Sequence, residues 1–167
     1  MLIAIAAVAL ATAPADDHRA EVERAVFALC PAAMEGSLSL SDPAQVAAAG
    51  YTPTQPRQTP AGSNPRAARG TGTDKIVISI GGEAPARLCS VWFGGPDNQR
   101  LADHVRSRAR AAGYRGGSAG RLGDGTQMHN YRLQGSTPRS LVMIDGDAGG
   151  ELDFDPGTTV ILMSGVN

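Results

Sequence analysis

Two four-residue runs, Leu141-Val142-Met143-Ile144 and Val160-Ile161-Leu162-Met163, are apolar at every position. Successive side chains of a strand point to opposite faces, so such strands belong in the middle of a sheet covered on both sides. This is the strongest constraint on the fold. Other segments alternate instead. Ile76, Ile78 and Ile80 alternate with Val77 and Ser79 until Gly81-Gly82 breaks the run, which predicts a strand. Arg87 to Phe93 predicts a second, with Cys89, Val91 and Phe93 on one face and Leu88, Ser90 and Trp92 on the other. Thr126–Gln134, Arg139–Asp145 and Thr158–Ser164 give three more. With aromatics at only 4%, the core must be built from Ala, Val, Leu, Ile and Met.

Helical spacing governs other stretches. Asp17 to Cys30 carries Val22, Val26 and Leu29 on one stripe, behind acids that suit a helix N-terminus, and Pro31 is expected to end it. Asp42, Pro43 and Gln45 open a second short helix that Gly50-Tyr51 closes. Asn98 to Ala112 is the best-patterned helix, with Leu101, Val105, Ala109 and Ala112 on its stripe and Gly113-Tyr114 at its end. Between the second helix and the first strand, residues 52–73 hold four prolines and almost no bulky apolar side chain, which reads as a flexible linker. Gly116 to Gly125 reads as a glycine-rich turn. The expected fold is therefore α+β: a helical segment over 16–51, the linker, and a β-β-α-β-β-β domain over 74–167. Its antiparallel sheet would have five strands, with the long helix on one face and the N-terminal helices on the other.

Leu2 to Ala11 is an apolar stretch followed by Ala13-Pro14-Ala15. It is too short to span a membrane and matches the hydrophobic region of a secretory signal, although no basic residue precedes it. Cleavage after Ala15 would leave a chain starting at Asp16; the alternative is a buried N-terminal element. The protein has two cysteines, Cys30 and Cys89. In an exported chain they read as a disulfide, and in an intracellular one as buried thiols; ligands for a metal are lacking.

Nothing in the chain assembles a convincing catalytic set. Gly116-Gly117-Ser118-Ala119-Gly120 has the G-x-S-x-G form but lacks the strand before and helix after that a nucleophile elbow needs. Ser118 with His129 and Asp124 is the one conceivable hydrolytic trio. Asp145, Asp147, Gly150, Glu151 and Asp153 imitate the opening of a calcium loop, but Pro156 stands where a bidentate Glu is required. Charge is unevenly placed. The net charge of −1 argues against general nucleic-acid or membrane-surface binding. Yet Arg100, Arg106, Arg108, Arg110, Arg115 and Arg121 form a basic stretch with only Asp103 against it, while 140–167 holds five acids and no base. Arg106, Arg110 and Arg115 are thus the candidate anion-binding or partner-binding residues. The competing reading is a solvated helix face whose arginines pair with those acids.

The Ala-rich leader, Val26-Phe27-Ala28-Leu29-Cys30-Pro31, the helix ending Gly50-Tyr51 and the strand holding Cys89 together resemble small uncharacterised secreted proteins of GC-rich alphaproteobacteria. The likeness covers mainly residues 1–51 and 87–93. It implies an exported single domain and carries over no catalytic residue. The expected function is a non-enzymatic periplasmic or extracellular module that binds a protein or anionic partner and needs no cofactor. The alternatives are a small periplasmic hydrolase using Ser118 and His129, and a calcium-stabilised structural domain.

Overall fold

The computed structural model describes residues 15–60, 62–83, 86–122, 126–134, 139–146 and 157–164. Eight antiparallel strands form one sheet: β1 (Thr52–Thr59), β2 (Gly62–Arg69), β3 (Ile76–Gly81), β4 (Leu88–Gly94), β5 (Arg115–Arg121), β6 (Gln127–Leu133), β7 (Arg139–Gly146) and β8 (Gly157–Ser164). Their spatial order is β1-β2-β3-β4-β8-β7-β6-β5. The chain builds half of the sheet in sequence, then crosses to the far edge through the helix α4 (Asn98–Ala111). It returns strand by strand until β8 docks on β4. The doubly apolar strands β7 and β8 accordingly sit in the interior of the sheet.

The helical layer comprises α1 (Ala15–Arg24), a π-helical turn (Ala25–Leu29), α2 (Cys30–Glu35), α3 (Pro43–Ala48) and α4. The first helix does not stop at Pro31. Pro31 lacks the N–H that an α-helix would use, and the turn before it widens so that the Cys30 N–H reaches back to the Ala25 carbonyl. The helix then runs on to Gly36, whose φ of 83° terminates it. Asp42 caps α3 as expected, its carboxylate accepting from the Ala44 and Gln45 N–H groups at 2.9 and 3.4 Å. The two Gly-Tyr endings share one geometry: Tyr51 and Tyr114 each donate their N–H, at 3.0 Å, to the carbonyl five residues back (Val46 and Ala109).

All four helices bury their apolar stripes on the same face of the sheet. Val22, Val26, Leu101, Val105 and Ala109 share one core cluster with Ile76, Ile78, Val91, Phe93, Tyr131, Leu141, Met143, Val160 and Leu162. The expectation of helices on both faces is thus corrected. Cys89 lies on the face of Val91 and Phe93, and its disulfide to Cys30, Cα–Cα 5.6 Å, draws the N-terminal helices to that face. There α1 packs beside α4. A second contact ties α1 to its surroundings. The buried Glu21 carboxylate accepts from Arg24 Nη2 at 2.7 Å and Nε at 3.0 Å, from Arg69 Nη1 at 2.8 Å and from the Tyr51 hydroxyl at 2.9 Å. Burial opposes its ionisation, but these donors outweigh burial and hold Glu21 below the ordinary carboxylate value.

Two further expectations are corrected. Residues 52–73 are not a flexible linker: they hold the β1–β2 hairpin, which continues the sheet past β3. Sequence periodicity missed it because its side chains are mostly polar or small, while the stabilising bonds come from backbone pairing of β1 with β2 and of β2 with β3. The prolines are placed where they do least harm. Pro56 and Pro65 fall where the β1–β2 ladder is irregular, and Pro53 sits on the edge strand β1. The glycine-rich turn proves to be β5 as far as Arg121, giving eight strands rather than five. Glycines supply no side-chain pattern to read, so only pairing with β6 reveals that strand.

Candidate functional site

The arginines of α4 divide into paired and unpaired groups. Arg100 meets Asp97 at 3.2 Å. Glu23 of α1 takes both His104 Nε2, at 2.7 Å, and Arg108 Nε, at 2.6 Å, which seals α1 against α4. Arg106, one of the three candidate binding residues, is turned inward. One Nη bonds Asp103 at 2.6 Å and the other pairs with the buried Asp145 at the end of β7. Its side chain is only 12% exposed. Here the pairing of helix arginines with the acidic C-terminal stretch is realised, so Arg106 is not presented to a partner.

Asp145 also lies 3.5 Å from His129 Nε2. Burial first, and then the Arg106 charge, push the His129 pKa below the ordinary histidine value of 6.5, so the ring is neutral at pH 7. An unfolded chain would bind this proton more readily than the folded one. The contribution is therefore complete above the unfolded value and is lost as pH falls from about 6.5. Urea midpoints are expected to decline through that window, and to decline less in His129→Gln; parallel profiles in the two proteins would show that His129 does not titrate this way.

The remaining candidates gather elsewhere. Arg110 is exposed and Arg115 follows the helix end, its Nη1 donating to the carbonyls of Arg110 at 3.2 Å and Tyr114 at 3.3 Å. These bonds satisfy the helix C-terminus and fix the guanidinium in place. Directly across the strand pair stands Arg132 of β6. Like charges in that relation destabilise a sheet. Among the described residues neither these two nor Arg110 has an acidic partner. Arg115 and Arg132, with Asn130, Gln134, Gly113 and Gly116, line a recess of about 510 Å³. Gly116 keeps its wall at backbone level: with φ at 108°, a Cβ there would stand 3.0 Å from the Asn130 carbonyl. Asn130 Oδ1 is buried without a hydrogen-bond partner. Two other recesses also hold arginines. One of about 350 Å³ holds Arg69, bound to Glu21, and Arg100, bound to Asp97. One of about 590 Å³ holds Arg87, which donates to the Met34 carbonyl at 3.4 Å.

Sequence reasoning missed Arg132, Asn130 and Gln134, since their closeness to Arg115 depends on the β5–β6 register. Two members of the hydrolytic trio, Ser118 and His129, lie on the paired strands β5 and β6. In the β5–β6 ladder Ser118 pairs with Asn130, and Ala119 pairs with His129. Asp124 lies outside the described residues. Of the calcium pair, Asp145 is bound to Arg106, whose positive charge opposes a cation there, and Asp147 lies outside the described residues. Among the described residues no three His, Cys, Asp or Glu side chains converge as a metal site, and no helix is long and apolar enough to cross a membrane. A scan against protein-family models and searches of curated proteins and of solved structures each found no match. The functional argument therefore rests on this chain's own residues.

Proposed function

We propose that the protein is an exported binding module that takes an anionic group, carried by a partner protein, in the Arg115–Arg132 recess. The observation that carries this reading is the opposition of two guanidiniums on neighbouring strands with no acid among the described residues to neutralise them. Such a pair costs stability unless an anion sits between or beside it. Arginine is suited to the task, because its planar fork engages carboxylate or phosphate through two parallel bonds. The carbonyls of Arg110 and Tyr114 already orient one of the forks, which reduces the side-chain entropy lost on binding. Asn130 and Gln134 add amide groups at the wall. Arg110 lies at the same end and contributes to the positive field. The apolar leader at 2–11 and the Cys30–Cys89 bond support an oxidising, exported setting.

Arg132→Glu tests the reading in two directions at once. It replaces repulsion by a cross-strand ion pair, so the unfolding free energy should rise by about 0.2–1 kcal/mol. Binding of pyrophosphate and of a short poly-glutamate, followed by calorimetry in low salt, should be lost, and wild-type binding should weaken as salt rises. Equal binding by the wild type and Arg132→Glu, or no binding by either, would remove the recess from the function.

A further inference from the structure

The Arg115–Arg132 recess makes a second demand, independent of its charge. Tyr131 is buried in the core beneath the helices, so its neighbours Asn130 and Arg132 occupy the opposite face of β6. Arg115 stands directly across from Arg132, and all three side chains line the recess from that one face. The two guanidiniums can only donate hydrogen bonds and call for an anion. Asn130 Oδ1 can only accept, and it is buried with no partner. A buried acceptor left without a donor is destabilising, and such groups in folded proteins are nearly always satisfied. The neighbouring arginine does not satisfy it: Arg115 gives its Nη1 to the carbonyls of Arg110 and Tyr114. The complementary group therefore presents two features side by side, a negative charge for the guanidiniums and an N–H or O–H for Oδ1.

These joint needs discriminate among anions. A fully ionised phosphate has charge and acceptors but no donor. A Glu side chain has its nearest backbone N–H at the far end of a rotatable stem. A free amino acid brings an ammonium, which two guanidiniums repel. The C-terminus of a polypeptide meets both conditions, because a single carbon separates its α-carboxylate from a neutral amide N–H and holds charge and donor at a fixed spacing. Gly113 and Gly116 line the recess without side chains, which leaves room for a chain end. The terminal torsion of an Asn side chain is broad, so the amide of Asn130 can turn to offer Oδ1 to a donor that enters. We propose that the recess is a receptor for the C-terminal carboxylate of a partner protein, held by Arg115 and Arg132, with the last peptide N–H donated to Asn130 Oδ1. The inference rests on the anion-binding reading above and adds the class of anion to it.

Calorimetry in low salt with four probes separates the class of anion from the site itself. The probes are acetyl-Ala-Val-Ala as the free acid, the same sequence with an ester oxygen in place of its last amide N–H, acetyl-Ala-Val-Glu amide, and pyrophosphate. The first three carry one carboxylate each. The free acid should bind about fivefold tighter than either the ester or the Glu amide, the worth of one net hydrogen bond. In Asn130→Val the free acid and the ester should bind alike while pyrophosphate keeps its wild-type affinity, and Arg132→Glu should lose all four probes. Valine suits a strand and removes the unpaired acceptor, so the thermal midpoint of Asn130→Val should equal or exceed that of the wild type. The comparison of free acid with ester on the wild type needs no variant. Equal affinity for the three peptides, or binding of pyrophosphate alone, would overturn the C-terminal receptor and leave the anion site standing. A preference for the free acid that survives in Asn130→Val, or an equal loss of peptide and pyrophosphate in that variant, would overturn the part given to Oδ1. No binding of any probe, or binding indifferent to Arg132→Glu, would overturn both readings.

Discussion

Replacing both Cys30 and Cys89 by alanine is expected to lower the unfolding free energy by about 4 kcal/mol, the largest effect of any change considered. The bond joins residues 59 apart, and the chain-entropy model assigns that value to a loop of this length. Total stabilities of small domains lie at about 5–15 kcal/mol, so the variant would be left close to unfolding. Its effect should be mechanical as well as entropic. The bond fixes the π-helical turn and α2 to β4, within the core between helices and sheet, and both cysteines are fully buried. Urea unfolding of the double variant should give a much lower midpoint and a steeper denaturant dependence, because the uncrosslinked chain exposes more surface. In the native wild type, reductant should act slowly unless denaturant is added. A midpoint unchanged by the double substitution would show that the helical layer holds without the cross-link.

Glu21→Leu should be the next most damaging substitution, at about 2–3 kcal/mol. One carboxylate receives four hydrogen bonds, two from Arg24 of α1, one from Tyr51 between α3 and β1, and one from Arg69 of β2. Its removal strands the buried Tyr51 hydroxyl and leaves Arg24 and Arg69 without their counter-charge. The two arginines are 38% and 39% exposed, so water recovers part of their loss, and the cost stays below that of breaking a fully buried pair. Glu21→Gln keeps an acceptor for Tyr51 and should cost less. The pH dependence follows from the sign of the shift. The folded-state pKa of Glu21 lies below the unfolded value, so its stabilisation is present above about pH 4.5 and is lost as pH falls through the folded value. Glu23, held down against burial by His104 and Arg108, acts in the same direction. Acid unfolding of Glu21→Gln should consequently show a shallower slope below pH 4.5 than the wild type; identical slopes would exclude Glu21 as a source of the acid transition.

Much of this was legible in the residues. The alternation of Ile76 to Ile80 and of Cys89 to Phe93 gave β3 and β4 and the division of their side chains between two faces, and the doubly apolar runs gave interior strands. Asp42-Pro43 and the two Gly-Tyr endings gave the boundaries of α3 and the end of α4, because capping is chemistry of adjacent residues. The candidate site was legible only in part. Arg110 and Arg115 follow one another along the chain and were found together, whereas Arg106 was grouped with them and turned out to face inward to Asp145. Arg132 had no signal at all: what makes it a site residue is a cross-strand neighbour seventeen positions earlier.

The division has one physical cause. Properties carried by a residue and its near neighbours, such as strand alternation, helix capping and the availability of two thiols, were determined by the sequence itself. Properties that depend on which segments meet were decided by tertiary structure. The β1–β2 hairpin and β5 exist because neighbouring strands offer them backbone hydrogen bonds, and their own side chains carry no hydrophobic period. The shared face of all four helices follows from where Cys89 points and what α4 covers. The opposition of Arg115 and Arg132 arises from register alone, in which a single-residue slip would have put Arg132 on the other face of the sheet.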